Sequence, residues 1–78
     1  CKMVVIDTNG TQSTVILEPM NVRLTQFQTI LGGYFQIIPY TQTCSFLVNE
    51  DGVGKKLPKN FFFTNFYGNV CVINNTDL

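Results

Sequence analysis

Leu31-Gly32-Gly33-Tyr34-Phe35-Gln36-Ile37-Ile38, followed a few residues later by Phe46-Leu47-Val48-Asn49-Glu50-Asp51-Gly52, decides how this chain is read. Gly32 can take the left-handed conformation that ends a helix, and Gly33 lets the chain turn straight into a strand. From Tyr34 to Ile38 nearly every residue favours strands, and Pro39, which cannot donate to a ladder, ends that strand or marks it as a sheet edge. The next strand covers about Thr43 to Asn49. Alternation puts Cys44, Phe46 and Val48 on one side of it and Ser45, Leu47 and Asn49 on the other. Glu50 to Gly54 has turn chemistry and leads into the basic loop Lys55-Lys56-Leu57-Pro58-Lys59-Asn60.

Toward the N-terminus, Met3-Val4-Val5-Ile6-Asp7 and Thr14-Val15-Ile16-Leu17 flank Asn9-Gly10, the dipeptide best suited to a type I′ hairpin turn. Glu18-Pro19-Met20 stops the second of these strands, and Asn21 offers a side-chain acceptor to the first turn of a helix running from about Val22 to Leu31. Within that helix Leu24, Phe27, Ile30 and Leu31 share one face, and Arg23, Thr25, Gln26 and Thr29 point toward solvent. Toward the C-terminus, Phe61-Phe62-Phe63 is a candidate short strand. Asn69 to Asn74 forms the last strand after a bend at Gly68, and the tail from Asn75 is expected to fray. The order β-β-α-β-β-β predicts an α+β fold, a single small mixed sheet with one helix packed on one face, in a single domain spanning residues 1–78.

Composition narrows the function. A 78-residue chain buries only about 60 to 65% of its unfolded surface, so its core is small and self-association is a natural supplement. Five basic and five acidic residues cancel, which removes the electrostatic footprint that non-specific DNA or RNA binding depends on. Cys1, Cys44 and Cys71 are odd in number and have no CxxC spacing, and histidine is absent, so neither a disulfide framework nor a zinc site is indicated. Cys44 and Cys71 lie in apolar runs, where a thiol acts as a small hydrophobe. The sequons Asn9-Gly10-Thr11 and Asn74-Asn75-Thr76 read as chance matches in a chain rich in Asn and Thr. No stretch has the length or the layout of a membrane span or signal peptide, and a soluble intracellular protein with no membrane partner is the expectation.

The block from Gln26 to Asn60 carries three spaced motifs: Gln28-Thr29-Ile30-Leu31-Gly32-Gly33-Tyr34, Val48-Asn49-Glu50-Asp51-Gly52 and Leu57-Pro58-x-Asn60. In these it resembles a family of small domains from phages, large DNA viruses and mobile elements, a family of unknown function. Gly68 before Val70, Val72 and Ile73 fits that family's closing strand. The family pattern tends to carry an acidic residue where this chain has Gln36. The resemblance implies a viral or phage accessory protein that acts in the cytoplasm of the host cell during infection and engages a host protein or a small signalling molecule. It implies no chemistry.

The residues themselves favour binding over catalysis. Without histidine the commonest general base is missing, and a cysteine nucleophile would need a lysine or a helix terminus to activate it. Glu50 and Asp51 are adjacent in a turn, where neighbouring carboxylates splay into water. Gly52-Val53-Gly54-Lys55-Lys56 lacks the spacing and the hydroxyl residue of a Walker loop. A milder version places an anion against Lys55, Lys56 and Lys59, although a solvated basic loop is the simpler expectation. Asn49 and Asn60 end elements, where each can tie down a turn or face a pocket. Three consecutive phenylalanines cannot share one strand face, so at least one emerges, and Phe62, Phe66 and Tyr67 become interface candidates that Tyr34 and Tyr40 would extend.

The sequence thus predicts a non-enzymatic binding protein without cofactor or metal, a homo-oligomer that holds a host protein or a small anionic ligand. The candidate residues are Tyr34, Tyr40, Asn49, Lys55, Lys56, Asn60, Phe62, Phe66 and Tyr67. A scaffold component such as a minor virion protein is the first alternative, and a histidine-free hydrolase the second.

Overall fold

A computed structural model describes residues 1–78. Its elements are β1 (Lys2–Ile6), β2 (Gln12–Ile16), α1 (Met20–Leu31), β3 (Phe35–Pro39), β4 (Cys44–Asn49), β5 (Val70–Asn74) and a terminal 3-10 turn (Asn75–Asp77). The five strands make one sheet in the order β2-β1-β5-β4-β3. The α+β class and the element order are those expected from sequence, and every pairing is antiparallel where a mixed sheet was expected. The β2–α1–β3 connection is the reason. It carries the chain from one edge of the sheet to the other, and after the 50–69 loop β5 returns into the gap between β1 and β4 and runs antiparallel to both.

The central strands are therefore apolar on both faces, and the edge strands β2 and β3 remain mostly exposed. On one face Met3, Val5, Leu47, Cys71 and Ile73 pack with Leu17 against Phe27 and Leu31 of α1. On the other, Phe46, Val48 and Val70 are covered by Phe63 and Phe66 from the 50–69 loop. No helix is long and apolar enough to cross a membrane.

Four local expectations are corrected. The first hairpin turn is organised by Asp7: its Oδ1 accepts from the N–H groups of Asn9 and Thr11, its carbonyl accepts from Gly10, and only Gly10 takes a positive φ. A type I′ turn needs positive φ at both central residues, so the Asp7 side chain, offering a ready acceptor, selects a longer loop. The helix starts two residues earlier than expected. It follows Pro19 and has no side-chain cap, so Asn21 is an ordinary first-turn residue. Gln26 and Arg23 instead reach back, Gln26 Oε1 accepting from the Glu18 N–H at 2.9 Å and Arg23 Nε donating to the Glu18 carbonyl at 3.0 Å.

Phe61–Phe63 is not a strand, because the N–H groups of Phe62 and Phe63 are both taken by Asn60 Oδ1 at 2.9 Å. The tail does not fray either. Asn75 is tied through its N–H to the Thr43 carbonyl and through its side chain to Ser45, and Arg23 Nη1 donates to the Asp77 carbonyl at 3.0 Å.

Asn60 holds the loop to the sheet. It is 0% exposed, and its Nδ2 donates to the carbonyls of Ile6, Asp7 and Gly68 at 3.0 to 3.2 Å. Five main-chain groups thus depend on one amide. Asn60→Ala should lower stability by about 3 kcal/mol in a urea titration, since each buried polar group left unpaired costs roughly 1 to 3 kcal/mol. Asn60→Asp should not rescue it, because a carboxylate would face three carbonyl oxygens.

Candidate functional site

The face of the sheet turned away from α1 carries the aromatic residues that the sequence singles out. Phe46 of β4 is its centre. Tyr40 stacks on Phe46 with ring centroids 4.6 Å apart and planes 25° apart, and Phe63 and Phe66 approach it at 4.9 and 5.9 Å. Phe62 continues outward, edge-on to Phe63 at 4.9 Å. The Asx-type turn at Asn60 sets this alternation: it directs Phe63 onto the sheet and leaves Phe61 and Phe62 in solvent, 76% and 57% exposed. Tyr40 is joined to this group as expected. Tyr34 is exposed but enters none of these ring pairs, since it precedes β3 at the opposite end of the strand.

Phe66 links the aromatic group to a cleft of about 270 Å³ between β3, β4 and the loop. Ile38, Val48 and Phe66 line its apolar part, and Gln36, Glu50, Asp51, Asn65 and Tyr67 its polar part. The acidic turn closes against the loop because Gly52 packs directly on it: a Cβ there would lie 2.7 Å from the Tyr67 carbonyl oxygen. The structure brings together Gln36, Glu50, Asp51, Phe66 and Tyr67, residues scattered over 32 sequence positions from 36 to 67. Asn65 and Val53 belong to the same cleft and have no sequence signal of their own.

Asn49 borders this same cleft and Asn60 is fully enclosed, and the side-chain amides of both are bonded within the chain. Asn49 Nδ2 donates to the Leu31 carbonyl at 2.9 Å and its Oδ1 accepts from the Asp51 N–H at 2.8 Å, so both ends of the amide are used by the chain itself. The lysines are not gathered into an anion cradle. Lys55 Nζ donates to the Gly32 carbonyl at 3.1 Å, at the negative end of the α1 dipole. Lys59 lies over the Tyr67 ring, 5.8 Å from its centroid, and Lys56 is exposed in a left-handed conformation.

The last carbonyls of α1 are in fact held by a set of side chains from elsewhere: Asn69 on Ile30, Asn49 on Leu31 and Lys55 on Gly32. Asn69 as a helix-end donor is legible only once β5 is known to start beneath that end.

A second cleft, about 230 Å³, runs between α1 and the free edge of the sheet. Leu24, expected in the core, lies at its rim and is 58% exposed, with Met20, Ile37 and Leu78 exposed beside it. The exposed apolar residues of α1, Met20, Val22 and Leu24, all lie in its N-terminal half.

Burial pushes the Cys71 thiol up to about 12, which keeps it protonated and a poor nucleophile, whereas Cys1 is exposed and Cys44 half-buried. No family model, curated protein or solved structure matches this chain.

The Cys71 shift has a defined sign. Below the ordinary thiol pKa both folded and unfolded chains hold the proton. Between about 9 and about 12 only the unfolded chain releases it, so folding stability falls as pH rises. Melting temperature measured against pH should therefore decline less steeply above pH 9 in Cys71→Ala than in the wild type.

Proposed function

We propose that this chain is a small non-enzymatic binding domain that self-associates and grips a partner protein with the aromatic side chains on the open face of its sheet. The exposure of Phe61 and Phe62, beside a half-buried Phe63 and the Phe66 cleft, is the observation that carries this reading. Two large rings held in water by a rigid Asx-type turn are poor design for a lone domain and good anchors for an interface, where aromatics concentrate binding energy. A net charge of zero favours a protein surface over nucleic acid.

The small anionic ligand is the weaker form of the proposal, because Lys55 and Lys59 have partners within the chain and the cleft is bordered by Glu50 and Asp51. In the setting that the resemblance to phage and viral domains implies, the partner is a host protein and the site of action the host cytoplasm.

Phe62→Ser separates binding from folding. Its single ring pair, with Phe63, places the stability cost at about 0.5 to 1.5 kcal/mol. Quantitative affinity purification of wild type and Phe62→Ser from the same cell extract should show a protein retained by the first and lost by the second. Equal retention by both would remove the aromatic face as the binding surface.

A further inference from the structure

We infer that two copies of this chain join edge to edge through β3, about a two-fold axis at Ile37, into one continuous sheet. This rests on the self-association proposed above and names the surface that performs it.

The hydrogen-bond register of β3 supplies the first argument. The Glu50 N–H donates to the Tyr34 carbonyl and the Tyr40 N–H to the Cys44 carbonyl, both at 3.2 Å. In an antiparallel pair the hydrogen-bonded residues alternate, so residues 34, 36, 38 and 40 spend their main-chain groups on β4, and residues 35, 37 and 39 turn theirs outward. The free edge therefore offers the N–H groups of Phe35 and Ile37 and the carbonyls of Phe35, Ile37 and Pro39. Pro39 sits at an outward position, where its missing N–H costs the ladder to β4 nothing. A second copy related by a two-fold at Ile37 matches this pattern. The Ile37 N–H and carbonyl pair reciprocally with those of Ile37 in the second copy, and each Phe35 N–H meets a Pro39 carbonyl across the axis. Only the Phe35 carbonyls remain, at the solvent-facing ends.

The side chains beside that edge supply the second argument. Met20, Leu24 and Ile37 are all exposed and line the cleft on the α1 side of β3. A two-fold perpendicular to the sheet lays the two α1 helices side by side on one face, so these residues cover their own counterparts. From Tyr34 to Tyr40 there is no charged residue, and Arg23, the one charged residue lining the cleft, is turned onto the carbonyls of Glu18 and Asp77 of its own chain. An uncovered strand edge with apolar flanks is a surface that proteins ordinarily block or pair.

The opposite edge differs. The Leu17 N–H donates to the Cys1 carbonyl and the Asp7 N–H to the Thr11 carbonyl, which leaves Gln12, Thr14 and Ile16 facing outward on β2. The Ile16 carbonyl is already taken by Gln26 Nε2 at 3.0 Å, and the neighbouring side chains Gln12, Ser13 and Thr14 are polar.

Sedimentation equilibrium of wild type, Ile37→Lys, Thr14→Lys and Phe62→Ser tests this, with circular dichroism to verify the fold of each. The expected result is a dimer for wild type, Thr14→Lys and Phe62→Ser, and association weakened roughly tenfold or more for Ile37→Lys. Hydrogen exchange gives a readout independent of mutation: the Phe35 and Ile37 amides should be protected at concentrations where the dimer forms and exchange freely on dilution. A monomeric wild type would overturn both this inference and the self-association it rests on. A dimer that survives Ile37→Lys, with those two amides unprotected, would overturn the β3 interface alone.

Discussion

Everything on the open face of the sheet depends on one buried carboxamide. Asn60 spends its two amide hydrogens on the carbonyls of Ile6, Asp7 and Gly68 and its oxygen on the N–H groups of Phe62 and Phe63. The end of β1, the turn before β5 and the phenylalanine segment are thereby joined at one point. Only a side chain that is donor at one end and acceptor at the other can serve both kinds of main-chain group at once. Without it the loop keeps its main-chain bond to Thr8 and its ring contacts with Phe46, but loses the buried anchor that joins it to β1 and to the start of β5.

The same economy of neutral groups recurs at the helix end. With 13% charged residues, the chain has few ion pairs to draw on, and it secures α1 through Asn49 and Asn69, with Lys55 at the outer carbonyl. Hydrogen bonds from side-chain amides to main-chain carbonyls are short-range and insensitive to salt, unlike exposed charge pairs. They suit a domain whose surface is close to neutral. They also leave the surrounding surface apolar, and that surface is where the binding reading comes from.

Two exposed regions follow from the small size of the domain. α1 and the 50–69 loop each cover one face of the central strands, and neither is wide enough to cover the edge at β3 as well. The exposed N-terminal half of α1 and the free edge therefore meet at an apolar margin, while the loop turns Phe61 and Phe62 outward on the other face. One margin is self-complementary in its hydrogen bonds and the other is purely aromatic. They can serve two different contacts, one with a second copy and one with a partner, without competing.

The sequence by itself determined the α+β class, the order of elements, the left-handed helix end at Gly32, the strands from Phe35 and Cys44, and the need for at least one phenylalanine to emerge. These are local matters of periodicity, glycine geometry and side-chain alternation. Tertiary structure alone decided that Asn49 and Asn60 would be consumed by the fold, that Lys55 would cap α1, and that Gln36, Glu50 and Tyr67 would share a cleft. The physical reason is common to these three. A polar side chain reveals its capacity to bond in the sequence, but which main-chain group it meets depends on partners 18 to 54 residues away, brought near only by the assembled fold.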